Sequence, residues 1–237
     1  MFLGRALQWN ICLLHLNELP LRHVFIYLDG TTKSPDKFAG PIGSQLNGNV
    51  SEWDIVKFTP IPNATFPMLK NDVVSCLSTD QYYAYRICWG VIYGDMDEDL
   101  ALLEVGPLNH SRWLTLACRI LRLYVAILNP SKNLKLISEF IVKVYLPSWF
   151  HIKVHNKFTS GSKNLFEIIQ RVNKFPNQDV KDICYKVLNN NSYFAHGENI
   201  LANMVADEDE EVRCRAINKI LQILKMRHES NKCNTKF

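Results

Sequence analysis

Residues 7–30 read LQWNICLLHLNELPLRHVFIYLDG, and how this stretch is divided decides the fold. Leu7, Trp9, Ile11 and Leu13 alternate with Gln8, Asn10, Cys12 and Leu14, the period-two pattern of a strand near 7–14 with one apolar face. Beyond it Leu21, Val24, Phe25 and Leu28 recur at i, i+3, i+4 and i+7. Pro20 suits a first helical turn, where backbone N–H groups have no intrahelical partner, and Gly30 supplies the stop. The expectation is a strand running into a helix, an edge of an α/β core.

Residues 31–76 are punctuated by Gly, Pro, Asn, Ser and Thr, as in TTKSPDKFAGPIG and FTPIPNATFP, and only WDIVKF at 53–58 has a strand-like pattern. So long an irregular stretch predicts a segment that wraps a surface or links two parts. From residue 77 the period turns helical and stays so. Ser78-x-x-Gln81 has the form of a capping box, opening a helix whose inner stripe is Ala84, Ile87, Cys88, Val91 and Ile92. The next helix, 111–128, buries Leu114, Ala117, Leu121, Tyr124 and Leu128. A third, 132–146, is apolar on most sides and is expected to stop at Pro147. Leu165, Ile168, Ile169 and Val172 mark another helix, and Val180, Ile183, Cys184, Val187 and Leu188 one more. The last begins in DEDEEV and finishes in LKMRH, acids at its positive end and bases at its negative end, as the helix dipole favours. The expected organisation is a strand–helix piece over 1–30, an irregular wrap over 31–76, a helical region over 77–228 and a tail over 229–237.

The chain has 237 residues with 27 basic and 23 acidic side chains, a net charge of +4, so nucleic-acid affinity needs local clustering of charge. Seven scattered cysteines without a Cys-x-x-Cys pair point to reduced thiols in the nucleus or cytosol. No apolar run has the length of a membrane span.

Cys12-x-x-His15 straddles the expected strand–helix junction, and zinc would want three or four ligands where this pair offers two. Arg112, Arg119 and Arg122 fall within about 80° of one another at 100° per residue, a stripe that could meet a phosphate backbone. The competing reading of that stripe is an ordinary solvated face. Glu198, beside His196 and Gly197, sits at an apparent helix start.

The phrase CLLHLNELPLRHVF, followed some 95 residues later by HSRWLTLACRILRLYV, resembles the C-x-x-H and R-W signatures of hAT-type DNA transposases. The order LQW, LDG, F.GPIG, HSRWLT and F.HGEN is similar to that of proteins derived from such mobile elements. The resemblance implies an RNase H-like core interrupted by a helical insertion, with Cys12 and His15 supporting the junction and Trp113 opening a helix that faces DNA. It further implies three carboxylates that hold two divalent metals. Two of those acids belong upstream of C-x-x-H, and Glu198 is the candidate for the third.

Three functions are therefore expected in order. The first is a catalytically incomplete, transposon-derived protein without a cofactor, retaining at most DNA binding or self-association. The second is a helical interaction scaffold: ANMVADEDEEVRCRAINKIL has the layout of one HEAT-like or armadillo-like helix pair. The third is a metal-dependent transposase or nuclease, the only reading that needs a divalent cation.

Overall fold

The computed structural model describes residues 12–31, 38–46, 48, 53–106, 112–157, 160–191, 201 and 204–234; the side chains of 98, 112, 162, 191 and 227–234 lie outside that description. Among the described residues the helices are α1 (Leu13–Asp29), α2 (Gly43–Leu46), α3 (Asn71–Ser75), α4 (Thr79–Tyr93), α5 (Arg112–Ala126), α6 (Lys132–Phe140), α7 (Leu146–Val154), α8 (Gly161–Lys174), α9 (Gln178–Asn191) and α10 (Glu210–Asn234), and residues 201 and 204–205 are helical as well. A 3-10 turn covers Glu98–Leu102, and a π turn over Ile141–Tyr145 joins α6 to α7. The protein is mostly α, with no strand among the described residues.

The strand near 7–14 is corrected where it can be seen: Leu13 and Leu14 are already helical, and residues 7–11 lie outside the description. The helical period in fact starts early, since Leu13, Leu16, Asn17, Pro20, Leu21, Val24 and Leu28 continue one spacing. Pro20 stands inside α1, not at its first turn. An interior proline removes one backbone bond and costs about 3 kcal/mol in an isolated helix. Burial offsets it here, for Leu16, Leu19, Leu21, Val24 and Phe25 all lie in the core.

α1 is the axis of the body. It packs on α5, α6, the π turn, α7, α8 and α9, while α4 lies against α5. Tyr27 donates from its hydroxyl to Asp179 Oδ2 at 3.2 Å, and Asn133 Nδ2 donates to Leu28 O at 2.8 Å, tying α1 to α9 and α6. Because α1 touches α9 across so long a sequence interval, these helices form a bundle and not a stack of sequence neighbours.

Pro147 does not end its helix. The π turn just before it widens the helix where the proline ring would press on the preceding turn, and α7 continues to Val154. Buried Asn17 donates its Nδ2 to the Tyr145 carbonyl of that turn at 3.1 Å. The capping box at Ser78 and Gln81 is formed, and the expected α4 stripe is buried throughout. Leu128 is an exception to the α5 stripe: the helix ends at Ala126 and Leu128 is exposed.

The segment 53–70 is extended but joins no ladder, so WDIVKF is a strap and not a strand. Its polar groups bond to the helices beneath. Val56 N–H donates to Val125 O (3.0 Å), Ile61 N–H to Val91 O (2.9 Å) and Leu69 N–H to the Tyr85 hydroxyl (3.2 Å). Phe66 sits between α4 and α7, its ring 5.5 Å from Phe150 and 5.6 Å from Tyr85.

Candidate functional site

The basic stripe is where the structure departs most from the sequence reading. Arg122 is 1% exposed, and its Nη2 donates to the carbonyls of Trp53 and Ala101. Arg119 is half-buried; its Nη1 donates to Leu46 O (2.7 Å) and Gly48 O (3.3 Å), and its Nε to Gly106 O (3.2 Å). Burial lowers its pKa from the usual arginine value. These two guanidinium groups are clamps that bind the carbonyls of the chain crossing α5, so neither projects from a solvent face toward phosphate. A planar fork with several fixed donors suits this task, because irregular backbone presents carbonyls at several angles. The Arg112 side chain lies outside the description. Two more groups on the helices hold the strap alike: the Tyr124 hydroxyl donates to Thr59 O (2.7 Å) and Arg171 Nη1 to Thr65 O (2.9 Å).

A second fastening explains the LDG and F.GPIG phrases. Asp29, at the end of α1, is buried and accepts hydrogen bonds from Ile42 N–H (2.6 Å) and Gly43 N–H (2.9 Å) at the start of α2. Burial raises its pKa, against the lowering effect of those two bonds. Gly40 and Gly43 permit the approach. A Cβ on Gly40 would come 1.8 Å from Asp29 O, and one on Gly43 2.6 Å from Asp29 Oδ2. These glycines are required by contact and not by a special φ.

Cys12 and His15 flank the first turn of α1 and are both exposed. His15 Nδ1 lies 3.4 Å from Glu18 Oε2, one turn along the helix. Among the described residues no group of three or more His, Cys, Asp or Glu side chains converges to hold a metal. Trp113 is half-buried and packs against the core. Glu198 lies outside the described residues.

Two of the open surfaces among the described residues bear on partners. One is a cleft of about 500 Å³ lined by Met68, Tyr85, Arg86, Trp89, Gly90, Tyr93, Asp95 and Asp97. The Trp89 and Tyr93 rings stack at 4.9 Å, and Arg86 is held by Asp97 and Asp99. Its lining is apolar with an acidic rim, a poor match for a phosphate.

The other is α10. Asp209 Oδ1 accepts from Glu211 N–H at 2.9 Å, and Arg213 Nη1 donates to Asp207 O and Glu208 O, both at 2.8 Å. The acidic start of α10 is thus a capped turn, as the dipole argument expects. Along the helix Ala216 is buried, but Ile217, Leu221 and Leu224 are 45%, 50% and 55% exposed. Spaced i, i+4 and i+7, they form one apolar edge. Ile220 and Ile223, half-buried, lie beside this edge on the side of Ala216.

Comparison with protein-family models, curated proteins and solved structures returns no match to this chain. Among the described residues no helix is long and apolar enough to cross a membrane.

Proposed function

We propose that this chain is an α-helical interaction module whose working surface is the apolar edge of α10. The observation that carries the reading is the row Ile217, Leu221 and Leu224, which stays open to water on a well-capped helix. Large aliphatic side chains in one exposed row are more informative than the same residues scattered singly. The reading is of binding, not catalysis. Descent from a mobile-element transposase is supported by the C-x-x-H and R-W phrases of the sequence.

DNA binding becomes the lesser reading, because two of the three arginines that suggested it, Arg119 and Arg122, are occupied by backbone carbonyls. The experiment is proximity labelling in cells with the intact chain and with Leu221→Glu/Leu224→Glu. Protein neighbours that disappear in the double variant, with nuclear or cytosolic distribution unchanged, are the expected result. An identical set of neighbours for both chains contradicts the proposal.

A further inference from the structure

We infer that the apolar edge of α10 is a self-recognition surface, taking the same helix of a second copy in antiparallel orientation. This rests on the interaction reading and names its partner. The argument begins with charge. Residues 207–211 are all acidic and outnumber Arg213 and Arg215 beside them, whereas the later part of α10 carries Lys219, Lys225, Arg227 and Lys232 against the single acid Glu229. A parallel pair would set acid beside acid and base beside base. An antiparallel pair sets each acidic start against the other copy's basic end, and both helix dipoles are opposed favourably as well.

The apolar residues fit the same symmetry. Centring the two-fold axis between Ile220 and Leu221 places Ile217 of one copy opposite Leu224 of the other, and Ile220 opposite Leu221. Such an interface is isologous, so one patch satisfies itself and the assembly closes at two copies. At 1.5 Å per residue the 25-residue helix is about 37 Å long. That length lets polar flanks add contact on both sides of a small apolar centre, as specific interfaces require.

The N-terminal turn of α10 is ordered by its own hydrogen bonds. Arg213 donates to the Asp207 and Glu208 carbonyls, and the exposed Lys157 pairs with Glu208 at 2.7 Å. Asp209 caps the helix and Glu211 pairs with Arg215 within the same copy, so the acidic character of this end is a net one.

Sedimentation equilibrium of the full chain tests the proposal, with Leu221→Glu and separately Lys225→Glu/Lys232→Glu as variants and far-UV circular dichroism as the folding control. The expected result is a reversible dimer whose dissociation constant rises about tenfold or more in each variant. It should also rise with salt, since the flanking charges are screened. Orientation is read with a spin label on Cys214 after replacing Cys12, Cys76 and Cys233 by serine. The antiparallel pair separates the two labelled positions by 13 residues of rise, about 20 Å along the axis, where a parallel pair leaves them side by side. A chain that is monomeric at every concentration, a dimer indifferent to both variants, or a short label distance overturns the inference. A monomer that still loses its cellular neighbours on Leu221→Glu/Leu224→Glu would overturn self-recognition alone and leave the interaction reading standing.

Discussion

Replacing Arg122 by alanine separates the two meanings its charge can have. In the structure the side chain is buried and donates to Trp53 O and Ala101 O, so truncation leaves two carbonyls without a donor and a void the size of an arginine stem. A hydrogen bond from a charged donor contributes about 1.5–3 kcal/mol, and truncating a large buried side chain costs about 2–5 kcal/mol. The expected loss is therefore about 3–5 kcal/mol, a large part of the stability of an ordinary domain. Arg122→Met, which restores the volume and not the donors, should recover only the packing part. Arg215→Ala, at a side chain 72% exposed and paired with Glu211, should stay within about 0.5 kcal/mol of the parent. Urea unfolding followed by circular dichroism measures all three, and the Arg122→Ala midpoint should fall by roughly 1 M or more. If Arg122 were a phosphate ligand, its loss would leave the midpoint alone and instead lower duplex-DNA affinity, with a salt slope reduced by about one. An unchanged midpoint with weakened DNA binding would refute the clamp.

Gly40→Ala should destabilise by several kcal/mol on the same urea assay, since its Cβ would overlap the Asp29 carbonyl; roughly 1–3 kcal/mol is usual for overpacking and this contact is closer than packing allows. Thiol alkylation of the native chain, read by mass spectrometry, should modify Cys12, Cys76 and Cys214 quickly and spare Cys88, Cys118 and Cys184. Burial raises the pKa of all three spared thiols, pushing that of Cys184 up to about 12, so thiolate is scarce at those sites. His151 is half-buried between Asn164 and His155, and burial, then His155, lowers its pKa below the usual histidine value. The unfolded chain therefore binds a proton there before the folded one does. Stability should be fully present above the ordinary histidine pKa and decline as pH falls from it toward the lowered one, and the decline should be shallower in His151→Asn.

How much of this could be read from the sequence depended on where each structural cause resides. The stripes of α4, α8 and α9 and the capped acidic start of α10 were legible, because their causes are local spacing and end electrostatics. The later part of α1 and its stop at Gly30 were legible too, but its start was not, because a residue such as Pro20 is disfavoured locally and tolerated only through burial among helices far along the chain. Pro147 misled for a related reason: the π turn that accommodates it was invisible to a 3.6-residue period. The arginine stripe had the right angular spacing on α5. What covers that face is the strap, whose carbonyls carry no signature in side-chain pattern. A clue did exist, in that a long Gly- and Pro-rich segment must find donors for its buried carbonyls, and arginine is the side chain with most to give. The same logic explains Asp29 with GPIG, where a buried acid at a helix end is answered by backbone N–H groups between two glycines.

The apolar edge of α10 is the centre of the account, and hydrogen–deuterium exchange tests it most directly. The intact chain is compared free and dilute with the same chain in its associated state. Exchange should slow over 213–228 and stay unchanged over the strap at 53–70 and along α5. Protection that appears on α5 or the strap while 213–228 exchanges as before would contradict it.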